Sequence, residues 1–252
     1  MSDIIFEKHT KISEHESILK EYYARYLTDI RGLSLSSVKH YFDALNNISR
    51  RLRDKGLVQK DIYEIGDLEQ LEQVREILYA DSDFMELNER GRRMYSAGLN
   101  NYYRFASGEG FQQAKDKICL LDVPMSPEDV RTVEQNSWKR SRIVRTQVIE
   151  FAGYSCEINT GHESFVAEKN KKPYMESHHA IPMRLQPQFH NSLDVYANIV
   201  CLCPVCHRRI HYGLKEDKRQ MMNYIYTMRE ERLLRSGIKL SKQEFADLVA
   251  PT

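Results

Sequence analysis

Apolar and polar residues alternate with a helical period along the first part of the chain. From about Ser13 to Ile30 the apolar side chains recur every three or four positions, which is typical of an amphipathic helix. These side chains are Ile18, Leu19, Tyr22, Tyr23, Tyr26 and Leu27. Serines at 34–37, which can cap free amides, precede a second apolar stripe that ends near Gly56. Further helices are predicted over roughly 67–79 and 84–105, so we expect an all-α front part.

Glycines and prolines interrupt this pattern between residues 106 and 127. They are Gly108, Gly110, Pro124 and Pro127. Such residues are typical of loops and linkers. A helical pattern resumes from Pro127 to Phe151, with a basic face that includes one aromatic residue, Trp138. We therefore predict a helical domain at residues 1–110, a linker and basic helix at 111–150, and a second domain with two C-terminal helices at 151–252.

Composition is that of a soluble globular protein. The 252 residues are 41% hydrophobic and 29% charged, and the length favours two domains. No apolar run reaches the length that spans a bilayer, and the amino terminus lacks the basic region and apolar core of a secretory signal. We expect a cytoplasmic protein with no membrane partner. Because the formal net charge is +1, any basic surface must be local.

Cysteine spacing predicts a structural metal site. The chain has five cysteines, including the pair Cys203-Pro-Val-Cys206. An odd number with one close pair fits metal ligation in a reducing compartment better than a disulfide framework. A tetrahedral zinc site needs two more ligands, and the nearest upstream candidates are Cys156 and His162. The alternative is that Cys156 packs in a core and His162 lies on the surface. The predicted ligands of this structural Zn²⁺ are Cys156, His162, Cys203 and Cys206.

Histidines concentrate in the same region. Six of the nine lie between residues 162 and 211. His207 and His211 are four residues apart, so they share one face if the segment is helical. Two such imidazoles can bind one metal ion, and a third can come from His178. This would leave the adjacent His179 free to take a proton from water.

The complete pattern resembles the HNH nuclease family. It comprises Glu176-Ser-His-His179, then Asn198, then the run Cys203-x-x-Cys-His-x-x-x-His211. In that family the ββα-metal fold places the histidine pair on the first strand, the asparagine in the intervening segment and the last histidines on the helix. The resemblance covers about residues 154–212. It implies an α+β chain: an N-terminal all-α helical domain, a zinc-stapled ββα-metal (HNH) nuclease domain and C-terminal helices.

The roles that the resemblance implies agree with the chemistry of phosphodiester hydrolysis. This reaction needs an attacking water, a cation near the phosphate and help for the leaving oxygen. His179 is suited to be the general base, and Asn198 would hold its ring through a hydrogen bond. Glu176 is two residues before His178, so on a strand it shares that face and could orient a ligand imidazole. The ligands of the catalytic divalent cation would be His178, His207 and His211, although His211 could instead contact phosphate. Imidazole ligands favour Mn²⁺, Ni²⁺ or Co²⁺ over Mg²⁺.

Basic clusters in the helices predict DNA contacts. The segment YLTDIRGLSLSSVKHYFDALNNISRRLRDKG, from Tyr26 to Gly56, resembles the SAM-like core-binding domain at the start of phage-type integrases. A charge run alone is more often a solvated face, but a basic helical domain beside a nuclease favours DNA binding. The predicted DNA-binding residues are Arg50, Arg51, Arg53, Arg92, Arg93, Lys139, Arg140, Arg142 and Arg145.

These observations favour a restriction endonuclease, ordinary or modification-dependent, that acts on double-stranded DNA. Two alternatives stay open: a nicking or homing-type HNH nuclease of a mobile element, and a non-catalytic zinc-stabilised DNA-binding protein. The last is disfavoured because a binding protein needs neither His179 nor Asn198. Cutting two strands with one active site per chain suggests a homodimer.

Overall fold

The computed structural model describes residues 17–127, 130–131, 137–138 and 141–249. In these ranges the chain is mainly helical, with two small antiparallel sheets of two strands each. The helices are α1 (Ile18–Arg25), α2 (Leu35–Asp54), α3 (Leu68–Ala80), α4 (Ser82–Arg90), α5 (Met94–Ser107), α6 (Arg142–Phe151), α7 (Pro204–Tyr212), α8 (Lys215–Arg235) and α9 (Lys242–Val249). The strands are β1 (Val130–Arg131), β2 (Ser137–Trp138), β3 (Glu176–His179) and β4 (Ile199–Leu202). None of the described helices combines the length and apolar content needed to cross a membrane.

The first three predicted helices are confirmed over the described residues, and positions 13–16 of the first prediction lie outside them. Helix α1 continues as a π-helical turn over Tyr26–Ile30. The hydroxyl of Ser34 accepts a hydrogen bond from the Ser37 amide and caps α2. The Asp67 carboxylate does the same for α3, by accepting from the amide of Glu69. The serine signal read from the chain therefore coincides with the observed start of α2.

The helix predicted over 84–105 is divided into α4 and α5. Arg92 and Arg93 adopt positive φ angles of 51° and 62°, which a continuous helix cannot contain. Buried Asn88 bridges the break, because its Oδ1 accepts from the Ser96 amide at 2.9 Å and its Nδ2 donates to the Ser96 hydroxyl at 3.1 Å. The two arginines consequently lie at an exposed corner instead of along a helix face.

The helix predicted from Pro127 begins later, at Arg142. Ser141 is its N-cap, with the hydroxyl accepting from the Val144 amide at 3.2 Å. Before it, β1 pairs with β2, and Lys139 and Arg140 lie outside the described residues. The segment predicted as a linker carries buried side chains that join the main core: Phe111, Ile118, Leu121 and Met125.

One hydrophobic core connects the helical front part to the C-terminal half. The ring centroids of Tyr22 and Tyr196 are 4.4 Å apart. Buried Gln147 donates from Nε2 to the Phe105 carbonyl and accepts from the Tyr196 hydroxyl, both at 2.5 Å. These contacts position α6 against both halves of the molecule.

In the C-terminal half, β3 and β4 pair antiparallel and lead into α7. Glu176 lies opposite Leu202, and His178 lies opposite Val200. The chain enters α7 immediately after β4, with Pro204 in the first helical turn. The two predicted C-terminal helices are confirmed as α8 and α9. The result is a hairpin-and-helix unit covered by helices.

Candidate active site

Three imidazoles meet between β3 and α7. His178 projects from β3, and His207 and His211 lie one turn apart on α7. The ring centroids are 5.2 Å apart for His178 and His207, 5.0 Å for His178 and His211, and 4.9 Å for the two α7 rings. One nitrogen of each ring lies within 4.8 Å of the other two. A small side-chain adjustment would bring all three to imidazole–metal distances of about 2.1 Å.

Lowered pKa values of His178 and His211 favour the uncharged form of these two rings, which is the form that binds metals. Burial lowers the pKa of His178 to about 3, and the neighbouring His207 and His211 lower it further in the same direction. Burial, followed by the neighbouring His207, also lowers the pKa of His211. Because only a neutral imidazole has a lone pair to donate, this set of residues fits a divalent cation.

Glu176 supports the cluster from β3. One of its carboxylate oxygens, Oε2, contacts Nδ1 of His207, so Nε2 of that ring is left for a ligand role. The other oxygen accepts a hydrogen bond from the Tyr174 hydroxyl at 3.3 Å. The contact between Glu176 and a candidate ligand imidazole, which the strand alternation predicted, is therefore present.

His179 pairs with a carboxylate that the sequence did not single out. Its Nε2 lies 2.8 Å from Oδ1 of Asp194, and the two side chains are only 11% and 7% exposed. The second oxygen of Asp194 accepts from the Ser141 amide at 2.6 Å. Asp194 is thus held at two points, and it favours the tautomer of His179 that carries hydrogen on Nε2 and a lone pair on Nδ1.

The prediction that Asn198 holds the His179 ring through a hydrogen bond is wrong. Asn198 is fully buried, and its Oδ1 accepts from the Ile181 amide at 2.7 Å. Its Nδ2 donates to the carbonyls of Ile181 and Leu193, both at 2.9 Å. Asn198 therefore ties together the segments that follow β3 and precede β4, because its three side-chain hydrogen bonds all go to backbone groups.

The sequence offered one signal that could have pointed to Asp194. It is the single carboxylate within the mainly apolar run LDVYANIV.

A second cluster contains the four residues predicted to bind zinc. Their ligand atoms all lie within 4.8 Å of one another. Nδ1 of His162 is 3.3 Å from Sγ of Cys206 and 3.8 Å from Sγ of Cys203. Ligands of a tetrahedral zinc ion with bonds of about 2.3 and 2.1 Å are separated by roughly 3.5 Å. The structure thus brings together Cys156, His162, Cys203 and Cys206.

The charges of the thiols in this cluster also fit a cation. Burial opposes ionisation of Cys156, but hydrogen bonds from the backbone of Cys203 and Asn159 and from His162 lower its pKa to about 7. Burial raises the pKa of Cys206, and the adjacent thiols of Cys156 and Cys203 raise it further. Several thiolates at such short range repel one another unless a cation lies between them.

An open groove of about 490 Å³ lies beside the histidine cluster. Its lining includes Arg142, Arg145, Tyr174, Glu176 and His207. Arg145 donates from Nε to the Ser177 hydroxyl at 2.8 Å, and Arg142 forms an ion pair with Asp67 at 3.0 Å. Two of the arginines predicted to bind DNA are therefore next to the candidate metal ligands.

The other predicted DNA-binding arginines lie elsewhere, in the helical front part. Arg51, together with Lys55, faces Asp81 at 3.9 and 2.7 Å. Arg93 pairs with Glu89 at 3.0 Å. Arg50 bonds to the Asn47 side chain, Arg53 contacts the Lys60 carbonyl, and Arg92 is exposed. None of these residues lines the groove, and their role in DNA binding stays a prediction.

Comparison with known proteins finds two similarities. Residues 163–213 match a model of the family described as HNH endonuclease. The chain is also 28% identical over 92 residues to the type IV methyl-directed restriction enzyme EcoKMcrA of Escherichia coli (strain K12). This match takes in 36% of the chain and 30% of the relative's length, so the chain spans less than a third of that relative. The family match contains all three clustered histidines, His179 and Asp194.

Proposed function

We propose that this chain, which carries an HNH endonuclease domain at residues 163–213, is a metal-dependent DNA endonuclease of restriction type. The observation that carries the proposal is the buried hydrogen bond between His179 and Asp194, at the chain position next to His178 of the three-imidazole cluster. A general base next to a metal site is the arrangement that hydrolysis of a phosphodiester by water requires.

The divalent cation would be held by His178, His207 and His211. When bound, it would offset the charge that develops on the phosphate and on the leaving oxygen. The nitrogen ligands fit Mn²⁺, Ni²⁺ or Co²⁺ better than Mg²⁺, which prefers oxygen. Separately, Zn²⁺ at the cluster of Cys156, His162, Cys203 and Cys206 would be structural, because all four ligand positions come from protein.

Proton transfer follows from the geometry of His179. Its Nδ1 would accept the proton of the attacking water, since Nε2 is engaged with Asp194. The Asp194 carboxylate would then stabilise the imidazolium that forms, as a fixed negative charge in a buried position. Arg145, whose hydrogen bond to Ser177 places it in the groove, would bind a neighbouring phosphate.

The finer biological role rests on the relative. EcoKMcrA is named as a methyl-directed restriction enzyme, and we extend methyl-directed cutting of double-stranded foreign DNA to this chain as part of the proposal. The helical front part would contribute DNA contacts through Arg50, Arg51, Arg53, Arg92 and Arg93. Cleavage of both strands would take two copies of the chain, one active site for each strand.

The proposal predicts that the purified protein cuts plasmid DNA when Mn²⁺ is present. His179→Ala should lower the cleavage rate by roughly 100- to 10,000-fold, the usual contribution of a general base, and should retain zinc and DNA binding. The measurement is the rate of loss of supercoiled methylated and unmethylated plasmid on agarose gels. His190→Ala, which changes an exposed histidine, is the matched control and should cut at the wild-type rate.

Each alternative has its own result in the same assay. Cleavage retained by His179→Ala would remove that residue from the general-base role. Relaxation of the plasmid without linearisation would identify a nicking enzyme of the mobile-element kind. Shifted gel mobility with intact DNA would identify a non-catalytic binding protein, and equal cutting of both plasmids would exclude methyl-directed action.

A further inference from the structure

A short hairpin leads to β3 from the second cluster, which contains Cys156, His162, Cys203 and Cys206 and which we call the zinc cluster. The amide of Tyr174 donates to the Phe165 carbonyl at 2.7 Å, and the amide of Ala167 donates to the Lys172 carbonyl at 2.8 Å. Val166 and Pro173 form a β-bridge between these two bonds. We call residues 165–174 the aromatic hairpin. It begins three residues after the zinc-cluster residue His162 and ends two residues before Glu176.

The aromatic hairpin exposes large apolar side chains that the core does not use. Phe165 is 64% exposed, Val166 is 62% exposed and Tyr174 is 37% exposed. The rings of Phe165 and Tyr174 are stacked, with centroids 4.8 Å apart and planes within 12°. One face of Phe165 thus meets Tyr174, and most of its remaining surface is open to solvent. An exposed apolar cluster of this kind marks a binding surface.

The aromatic pair is connected to the histidine cluster. The Tyr174 hydroxyl bonds to Glu176, and Glu176 contacts His207. Tyr174 also lines the groove that contains Arg142 and Arg145. Within one continuous surface there are thus flat aromatic rings, guanidinium groups and a candidate metal site.

These three features match what DNA presents at a cleavage position, namely a base, a neighbouring phosphate and the bond that is cut. Aromatic rings stack on bases, guanidinium groups bind phosphates, and the histidine cluster would act at the bond that is cut. A base inside an intact duplex has both faces covered by its neighbours, so a protein ring can stack on it only if the DNA is locally opened or kinked.

We propose that the Phe165–Tyr174 stack binds an unstacked base of the strand that enters the groove, next to the phosphate that is cut. This inference rests on the proposed DNA endonuclease function. It assigns a substrate preference to the site: DNA whose helix is locally distorted, such as a mismatch or a bulge, binds more tightly than a fully paired duplex.

A nucleic acid fits this surface better than a second protein does. The groove beside the rings carries two guanidinium groups, and Arg145 has no carboxylate partner among the described residues. A protein docking on the apolar rings would leave these charges and the metal site unused. At the hairpin tip, Lys169 pairs with Glu69 and Lys171 pairs with Glu168, and the exposed Lys172 adds a positive charge that also favours a nucleic acid.

The test compares binding of the full chain to two short duplexes of mixed sequence, one fully paired and one with a central mismatch. Binding is measured by fluorescence anisotropy with Mn²⁺ in a His179→Ala background, which prevents cutting. Phe165→Ala should weaken binding to the mismatched duplex by roughly 5- to 150-fold, the fold-change that corresponds to loss of one base–aromatic stack. Phe165→Tyr should bind as the parent does, and Phe165→Leu should resemble Phe165→Ala. Leu234→Ala, which removes a side chain of similar exposure (55%) from α8, is the control.

Other results would overturn the inference. Equal affinity of Phe165→Ala and the parent for both duplexes would exclude base stacking, as would a change in oligomeric state by sedimentation without a change in DNA affinity. If the wild-type chain cuts plasmid and only the Phe165 effects are missing, the hairpin inference alone fails. If the wild-type chain neither binds nor cuts DNA, the proposed endonuclease function fails with it.

Discussion

At the scale of single residues, a histidine acts as a general base when one ring nitrogen is occupied and the other is open. In the role proposed for His179, the occupying group is the carboxylate of Asp194, which itself accepts a hydrogen bond from the Ser141 amide. A buried carboxylate both orients the ring and stabilises its positive charge after proton transfer. Asn198 has a different task, because all of its hydrogen bonds in the structure go to backbone groups.

The two residues should therefore respond differently to substitution. Asp194→Asn should reduce the rate of DNA cleavage by roughly 10- to 1,000-fold, because the amide no longer provides the negative charge that supports His179. Its zinc content and its affinity for DNA should stay at wild-type levels. The measurement is the single-turnover cleavage rate with Mn²⁺.

Asn198→Ala provides the contrast. It leaves backbone groups of Ile181 and Leu193 without partners in a buried position, so the free energy of unfolding should fall by about 3 kcal/mol or more. Urea denaturation measures this loss. A large loss of cleavage in Asn198→Ala with unchanged stability, together with a normal rate in Asp194→Asn, would assign the orienting role to Asn198 instead.

At the scale of elements, α7 carries groups of both candidate metal sites. Its first turn contains Cys206, and the Sγ of the preceding Cys203 accepts from the Cys206 amide at 3.4 Å. The next residue, His207, belongs to the histidine cluster. A helix of nine residues has little stability of its own. Its start must be held from outside, a restraint that zinc would supply if it is bound at the four-residue cysteine and histidine cluster as proposed.

Loss of the proposed zinc site should consequently disturb the histidine cluster. Cys156→Ser should lose its bound zinc, and the melting temperature should fall by about 10 °C or more, as expected when several kcal/mol of metal-linked stability are lost. Zinc content by atomic spectroscopy and melting by circular dichroism are the measurements. Cys119→Ser, a half-buried cysteine outside the cluster, should keep both values. Zinc retained by Cys156→Ser would show that this thiol is a packing residue.

At the scale of the whole molecule, the helical front part and the nuclease half share one core. Tyr22 packs on Tyr196, Gln147 bonds to both halves, and Asp122 forms two hydrogen bonds with Arg232 at 2.5 and 2.9 Å. A domain division at residues 110 and 150 stays a prediction. Glycines and prolines in the sequence indicate where the chain turns, but they do not indicate which side chains pack across the turn.

Cooperativity of unfolding tests this connection. Gln147→Ala removes buried hydrogen bonds to Phe105 and Tyr196, so it should lower the free energy of unfolding by about 2–4 kcal/mol. In the wild type, loss of helix by circular dichroism and zinc release to a coloured chelator should occur at the same urea concentration. Gln243→Ala, whose side chain is exposed on α9 and bonds to Asp247, should change stability little. Two separate transitions in the wild type would show that the two halves unfold independently.

The sequence by itself determined those features that depend on neighbours along the chain. Helix period and capping serines predicted α1 to α3, and the four-residue spacing of His207 and His211 predicted that they share a face. The strand alternation predicted that Glu176 and His178 lie on the same side. These are short-range consequences of backbone geometry, which any stretch of chain expresses before it packs.

Only the tertiary structure decided the pairings that depend on packing. The irregular segment between His179 and Asp194, 15 residues apart, has no period that would predict their meeting. The break between α4 and α5 depends on Asn88 reaching Ser96, and the stack of Phe165 on Tyr174 depends on how the hairpin closes. Such contacts form because burial and hydrogen bonding select among many loop conformations, and that selection is made by the packed molecule rather than by local propensity.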